Sequence, residues 1–310
     1  FLKNYTLGKK KFEIFERLKK KFYIINEINS HFYPEKISEH VKIKYIDHHL
    51  SHIASAFYPS GFENAVGLSI DGFGDFKSLA IAKCKGDNIK IVKKIFFPNS
   101  LGVYYEAFTQ LIGFKNYGDE YKFMGLSSYG NPIFVDKIKR NIFKNFKNLE
   151  LNLNYFNHTN KNYVYQFQGQ PTQDKIFNEK IYELFEIKKN YKIEDDYELK
   201  TNIACSVQKV FEESVMNICD EIKTLNISEN LVYAGGCALN SLANKRIFES
   251  KIFKKIFIPY APGDAGGSIG SASYYLKSKK VNLSNLKTPF IGPNYTNDQV
   301  EKIIFGKYNL

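Results

Sequence analysis

The sequence predicts an α/β protein built as two lobes, and three observations carry that prediction. Strand-like apolar runs alternate with segments of helical period along most of the chain. Glycine-containing turns punctuate several of those runs. The length of 310 residues exceeds the size at which a single core stops growing, so two lobes of roughly 100–200 residues each are expected.

Taken in order, the chain opens on the amphipathic, lysine-rich stretch FLKNYTLGKKKFEIFERLKKKF, which lacks the apolar region of a signal peptide. YIDHHLSHIASAFYPSGF, residues 45–62, follows and reads as a helix closing on Pro59 and Gly61. NAVGLSID (64–71) reads as a buried strand, and SLAIAKC and IKIVKKIFF continue it as an antiparallel meander. In SLGVYYEAFTQLIGF (100–114) the apolar residues fall at helical spacing with Ser100 as N-cap, so this helix packs on the sheet. Residues 133–199 are rich in Lys, Asn and aromatics without a clear period, and are expected to form an insertion with weak local order. Order returns with a long amphipathic helix over 198–225, strand NLVYAGG, helix ALNSLANKRIFES, strand KKIFIPY and helix DAGGSIGSASYYLKS.

The formal charge is +12, which would ordinarily point to nucleic acid or an anionic membrane. Only Arg17, Arg140 and Arg246 are arginines, however, and Lys, Asn and Ile abound, the mark of a codon bias. A nucleic-acid surface favours the bidentate guanidinium, so a nucleic-acid partner is not expected. No apolar run approaches the roughly 20 residues of a membrane span, so neither is a membrane. Cys84, Cys205, Cys219 and Cys237 form no CxxC pair, which predicts free thiols in a reducing, cytoplasmic compartment. The first residue is not Met, as expected of a fragment or a trimmed chain.

Four constellations can carry chemistry. His48 and His52 stand four apart and share a helical face, so they can hold one metal, with His49 turned aside; surface histidines at a helix start are the plainer alternative. In SIDGFGDFKS, Gly72 and Gly74 let backbone amides approach a phosphate, and Asp71 or Asp75 can hold Mg2+ through water; a hairpin turn is the alternative. LVYAGGCALNSLAN runs from a strand through Gly235 and Gly236 into a helix bearing Asn240 and Asn244. Such a junction suits a nucleotide, though it is also ordinary packing. In APGDAGGSIGSA, Asp264 caps or opens a helix, a role compatible with ligating a metal.

Six segments in fixed order carry a further signal: HHLSHIASAFYPSGF, SIDGFGD, FPNSLGVYYEAFTQLIGF, GDEYKFMGLSSYGNP, AGGCALNSLAN and APGDAGGSIGSA. Together, over about residues 45–280, they resemble the O-carbamoyltransferases typified by the nodulation and cephalosporin enzymes. The resemblance implies an actin/hexokinase-like ATPase fold of two ribonuclease-H-like lobes, similar to the tRNA threonylcarbamoyladenosine transferases. It implies Fe2+ or another divalent metal on His48, His52 and Asp264. It also implies carbamoyl phosphate and ATP as the source of a carbamoyl adenylate, and a small-molecule or glycan hydroxyl as acceptor. Under that implication Asp71 is the candidate base or orienter, with Glu120 and Lys122 as further catalytic candidates. Gly72, Gly74 and Asp75, with Gly235, Gly236 and Asn240, then form the nucleotide grip, and a homodimer is one assembly to be expected.

The same resemblance divides the chain into 1–62, the remainder of a first lobe with the metal-binding helix; 63–262, a second lobe with the 133–199 insertion; 263–280, a helix returning to the first lobe; and 281–310, the start of a C-terminal domain. Relative to the family, an opening strand and glycine loop are expected to be missing, as is the adenylate-forming domain beyond Leu310. Two other readings are kept: a threonylcarbamoyl transferase acting on tRNA, and a non-catalytic ATP- or metal-binding fragment.

Overall fold

The computed structural model describes residues 28, 30, 42–159, 165–166, 172–188, 191–281, 288–290 and 292–308. The lysine-rich opening, 1–22, lies outside the described residues. One five-stranded sheet organises the rest. Strand β1 (Asn64–Gly74) pairs antiparallel with β2 (Lys77–Lys85), which pairs antiparallel with β3 (Asn88–Phe96). On its other side β1 runs parallel to β4 (Asn230–Ala234), and β4 runs parallel to β5 (Lys255–Phe257). The order is therefore β3-β2-β1-β4-β5.

Period-two alternation in β1 decides what packs on each face. Val66, Leu68 and Ile70 face a large core shared with Tyr104 and Phe108 of α2 (Leu101–Leu111) and Val207 and Phe211 of α5 (Tyr197–Thr224). On the opposite face Ala65, Ala80, Ala82, Val232 and Ala234 are small, so α1 (His48–Phe57) settles close, with Ile53 and Phe57 buried against them. Gly67 belongs to this face, and a Cβ there would lie 2.4 Å from Ile53 Cγ2. Helix α7 (Gly267–Ser278) packs on α1 in turn, backbone to backbone at Gly270, where a Cβ would lie 1.8 Å from the Ser51 carbonyl oxygen.

The antiparallel meander, the Ser100 cap and the long helix stand where the sequence places them. Three boundaries differ. β1 does not end at Asp71 but runs to Gly74, because the chain reverses at Asp75 and Phe76, both with positive φ (47° and 62°). The helix expected from Ala238 begins only at Ser241, as α6 (Ser241–Ser250). A 3-10 turn over Gly236–Leu239 precedes it, and the Asn240 side chain caps it by accepting from Ala243 N. The segment 133–199 contributes Ile138 and Ile142 of α4 (Val135–Ile142), with Phe156, Phe177 and Phe185, to the main core. These described aromatics follow no repeating period, which is why periodicity alone suggests weak order. All four cysteines are free. Among the described residues no helix is long and apolar enough to cross a membrane.

Candidate functional site

The carboxyl ends of β1 and β4 meet, and the site forms there. Gly235, with φ 93°, crosses so close over β1 that a Cβ would lie 2.2 Å from the Ile70 carbonyl oxygen. Its own N–H donates to the Pro262 carbonyl at 2.7 Å, which ties the turn after β4 to the loop leading into Asp264. At the end of β1, Ser100 Oγ donates to the Gly72 carbonyl at 2.6 Å while capping α2. Gly102 lets the first turn of α2 press on the Gly72 backbone; a Cβ there would lie 2.6 Å from Gly72 N.

Asp71 sits inside this frame with both oxygens engaged. Oδ1 accepts from the backbone N–H of Gly72 (2.8 Å) and of Gly236 (3.3 Å). Oδ2 lies 2.9 Å from Nε2 of both His48 and His52. These two nitrogens are 3.1 Å apart, and Asp264 Oδ1 lies 3.6 and 3.3 Å from them. One ligand atom from each of His48, His52, Asp71 and Asp264 thus lies within 4.8 Å of the other three. Two imidazole nitrogens and two carboxylate oxygens converging on one point are a donor set suited to a divalent transition metal, so the residues fit such an ion. His52 is almost fully buried, whereas the Asp264 side chain is 68% exposed and forms the open side of the cluster. His49 points into the protein, its Nδ1 at 2.8 Å from Ser69 Oγ.

The protonation states follow from this geometry. Burial alone would lower His52, but the hydrogen bonds of Asp264 and Asp71 outweigh it and raise His52 to about 9. Burial would raise Asp71, but its bonds to His48 and His52 dominate and hold it well below the ordinary carboxylate range. Burial pushes His49 down to about 4, so it stays neutral. With the folded pKa of His52 raised, its contribution to the stability of the metal-free protein is full below the unfolded value of 6.5 and is lost as pH rises through about 9. A metal must displace that proton, so Co2+ affinity is expected to rise about tenfold per pH unit between roughly pH 6.5 and 8. Titration of the metal-free protein at several pH values checks this, and a flat profile would show that His52 carries no proton to displace.

Beside the cluster opens a cavity of about 530 Å³. Asp71, Gly72, Gly236, Asn240 and Asp264 line it, and so do Glu106, Glu120, Tyr117 and Tyr121. None of the described residues that line it is a lysine or arginine. Burial raises Glu120 from its ordinary value. Lys122, on the same short helix α3 (Glu120–Leu126), points away, its side chain 40% exposed and paired with Asp119 at 2.6 Å. Gly74, Asp75 and Gly235 do not line the cavity. Gly74 lies under the His48 ring, Asp75 accepts from His48 N at 2.9 Å, and Gly235 works through its backbone as described. Asn240 is largely committed, since its Oδ1 accepts from Ala243 N and Gln208 Nε2 and its Nδ2 donates to Gln208 Oε1.

Two features escape a reading of the sequence. Asp71 completes the cluster from 19 and 23 residues away, a distance without a spacing rule. Glu106, buried in the structure, has one sequence signal: it is the sole charged residue of LGVYYEAFTQL.

Three antiparallel strands followed by two parallel ones, in the order β3-β2-β1-β4-β5, make a ribonuclease-H-like lobe of the kind from which actin-like ATPases are built. Its ligand cluster lies at the carboxyl ends of the two central strands. The chain belongs to the carbamoyltransferase family: residues 4–273 match the family described as carbamoyltransferase N-terminus. It is 35% identical over 268 residues to the uncharacterized protein sll1178 of Synechocystis, covering 84% of this chain and 42% of that one. It is 30% identical over 262 residues to the nodulation protein NolNO of Sinorhizobium fredii, covering 83% and 35% respectively. The chain therefore spans less than half the length of these relatives. Among solved structures, full-length HypF aligns with 81% of this chain and 38% of its own, at 15% identity and a TM-score of 0.41.

Proposed function

We propose that this chain carries the carbamoyl-transfer site of an O-carbamoyltransferase, in which the carbamoyl group passes from carbamoyl adenylate, made from carbamoyl phosphate and ATP, to a sugar hydroxyl. The observation that carries this reading is the junction of the His48–His52–Asp71–Asp264 cluster with a cavity bearing further carboxylates, in a chain of this family. A bound Fe2+ or other divalent ion would supply Lewis-acid polarisation of the carbamoyl oxygen.

In this scheme the acceptor oxygen bonds to the carbamoyl carbon, the bond from that carbon to the phosphate oxygen breaks, and AMP leaves with the electron pair. The hydroxyl proton needs a base. Asp71 is poorly suited, because four hydrogen bonds occupy its oxygens and hold its basicity down. It acts as orienter and metal ligand. Glu120, raised by burial and facing the cavity, is the better base. The Gly236 turn and Asn240's remaining amide hydrogen grip the adenylate, while Glu106 accepts from ligand hydroxyls.

The cavity's charge also speaks to the acceptor. Among the described residues the cavity is lined by carboxylates, those of Glu106 and Glu120 lying outside the metal cluster, a lining that suits a neutral or cationic sugar better than a polyanion such as tRNA. The test supplies metal-loaded protein with labelled carbamoyl adenylate and, in parallel, a sugar panel and tRNA. Label is expected on sugar, with kcat of Glu120→Gln lower by about 10²–10⁴-fold. Label on tRNA alone would overturn the acceptor class, and full activity in Glu120→Gln would remove it as base.

A further inference from the structure

The amino-terminal end of α1 is held by a device that touches none of the cavity. Asp47 is its N-cap, with Oδ1 accepting from Leu50 N at 3.2 Å. The other oxygen of Asp47 pairs with Lys77 Nζ, and Lys77 is only 6% exposed. Asp75 Oδ2 accepts from His48 N at 2.9 Å, so the first helical N–H is also satisfied from outside the helix. Gly74 completes the contact: the His48 ring occupies the space of its missing side chain, and a Cβ would stand 2.0 Å from His48 Cδ2. Gly74, Asp75 and Lys77 all belong to the reversal between β1 and β2, where Asp75 and Phe76 take the left-handed conformation.

That reversal has a cost and a direction. Two consecutive non-glycine residues at positive φ are unfavourable, and surrounding contacts must impose them. A lysine buried to this degree is tolerated only with its counter-ion in place. Both features converge on the turn of α1 that carries His48. Because the imidazoles of His48 and His52 must converge on Asp71 Oδ2, a small rotation of α1 about its axis would separate their nitrogens.

We propose that the β1–β2 turn positions the metal centre: Asp75 and Lys77, which contact no ligand atom of the cluster, fix the height and rotation of α1 so that His48 and His52 present Nε2 to one ion. This rests on the metal reading above, and the experiment separates the two. Metal-free protein is titrated with Co2+, following its visible absorption for geometry and the unfolding midpoint of the metal-free form for stability.

Asp75→Ala is expected to weaken Co2+ binding about 10–100-fold and to alter the absorption band. Asp75→Asn keeps an oxygen for His48 N and is expected to bind within about threefold of wild type. Lys77→Gln, which leaves Asp47 without its cation, is expected to fall between them. Failure of wild type to bind Co2+, or wild-type affinity in His52→Ala, would overturn the metal reading. Binding by wild type with unchanged affinity and spectrum in Asp75→Ala would overturn the positioning role alone. Equal weakening in Asp75→Ala and Asp75→Asn, in proportion to a lowered midpoint, would also overturn it, since that pattern marks general destabilisation.

Discussion

Asp264→Ala is expected to weaken binding of the proposed divalent ion by more than about a hundredfold, while His49→Ala is expected to retain most of it. The contrast follows from where the side chains go. Asp264 Oδ1 completes the open side of the cluster, whereas His49 turns to Ser69 and offers nothing to the ion. Asp264→Ala is expected to fold normally, because its side chain is 68% exposed and makes no capping bond. His49→Ala is expected to lose about 1–3 kcal/mol of stability, since a buried hydroxyl at Ser69 loses its partner. Elemental analysis of both purified variants, with chemical denaturation alongside, decides the matter. Equal metal content in Asp264→Ala and wild type would remove Asp264 from the site.

Gly270→Val is the second large expected effect, and it acts at a distance. The added Cβ would meet the Ser51 carbonyl oxygen at 1.8 Å and Ser55 N at 2.9 Å, so α7 must leave α1. Backbone atoms cannot swing aside as a side chain can, so a loss of about 3 kcal/mol or more is expected. For a protein of this size that corresponds to a midpoint lower by about 5 °C. Asp264 opens the 3-10 turn that leads directly into α7, so metal affinity should fall with stability. A stable Gly270→Val variant with wild-type metal content would show that the two helices need no such approach.

How much of this is legible in the sequence depends on the range of each interaction. The helical spacing of His48 and His52 is local and readable, as are the Ser100 cap and the meander from 64 to 96. Asp264 comes only through a resemblance spanning most of the chain, because 212 residues separate it from His52. Asp71 is readable as the end of an apolar strand and as a base or orienter, but which of the two suits it depends on His48 and His52, which lie on another element and hold its carboxyl low. Lys122 and Glu120 illustrate the same limit: two residues apart, one faces the cavity and one faces solvent, and GDEYKFMG does not say which. Residues 133–199 are opaque for a different reason, since their described aromatics, such as Phe156, Phe177 and Phe185, join the main core at positions that follow no regular period.

The cavity's two sides are built from different materials. On the metal side, contacts are backbone on backbone: Gly235 over Ile70, Gly102 on Gly72, Gly270 on Ser51. Almost any substitution there collides with main chain. On the far side the wall is carried by the loop and short helix around Tyr117 and Tyr121, whose side chains are 46% and 65% exposed. Those two tyrosines line the cavity without belonging to the cluster, so substitutions there leave the ligand atoms of His48, His52, Asp71 and Asp264 where they are. Under the proposed function, acceptor preference can therefore change at the rim, at Tyr117 and Tyr121, while the His48–His52–Asp71–Asp264 cluster stays as it is, and a directed-evolution library would be well spent at those two positions.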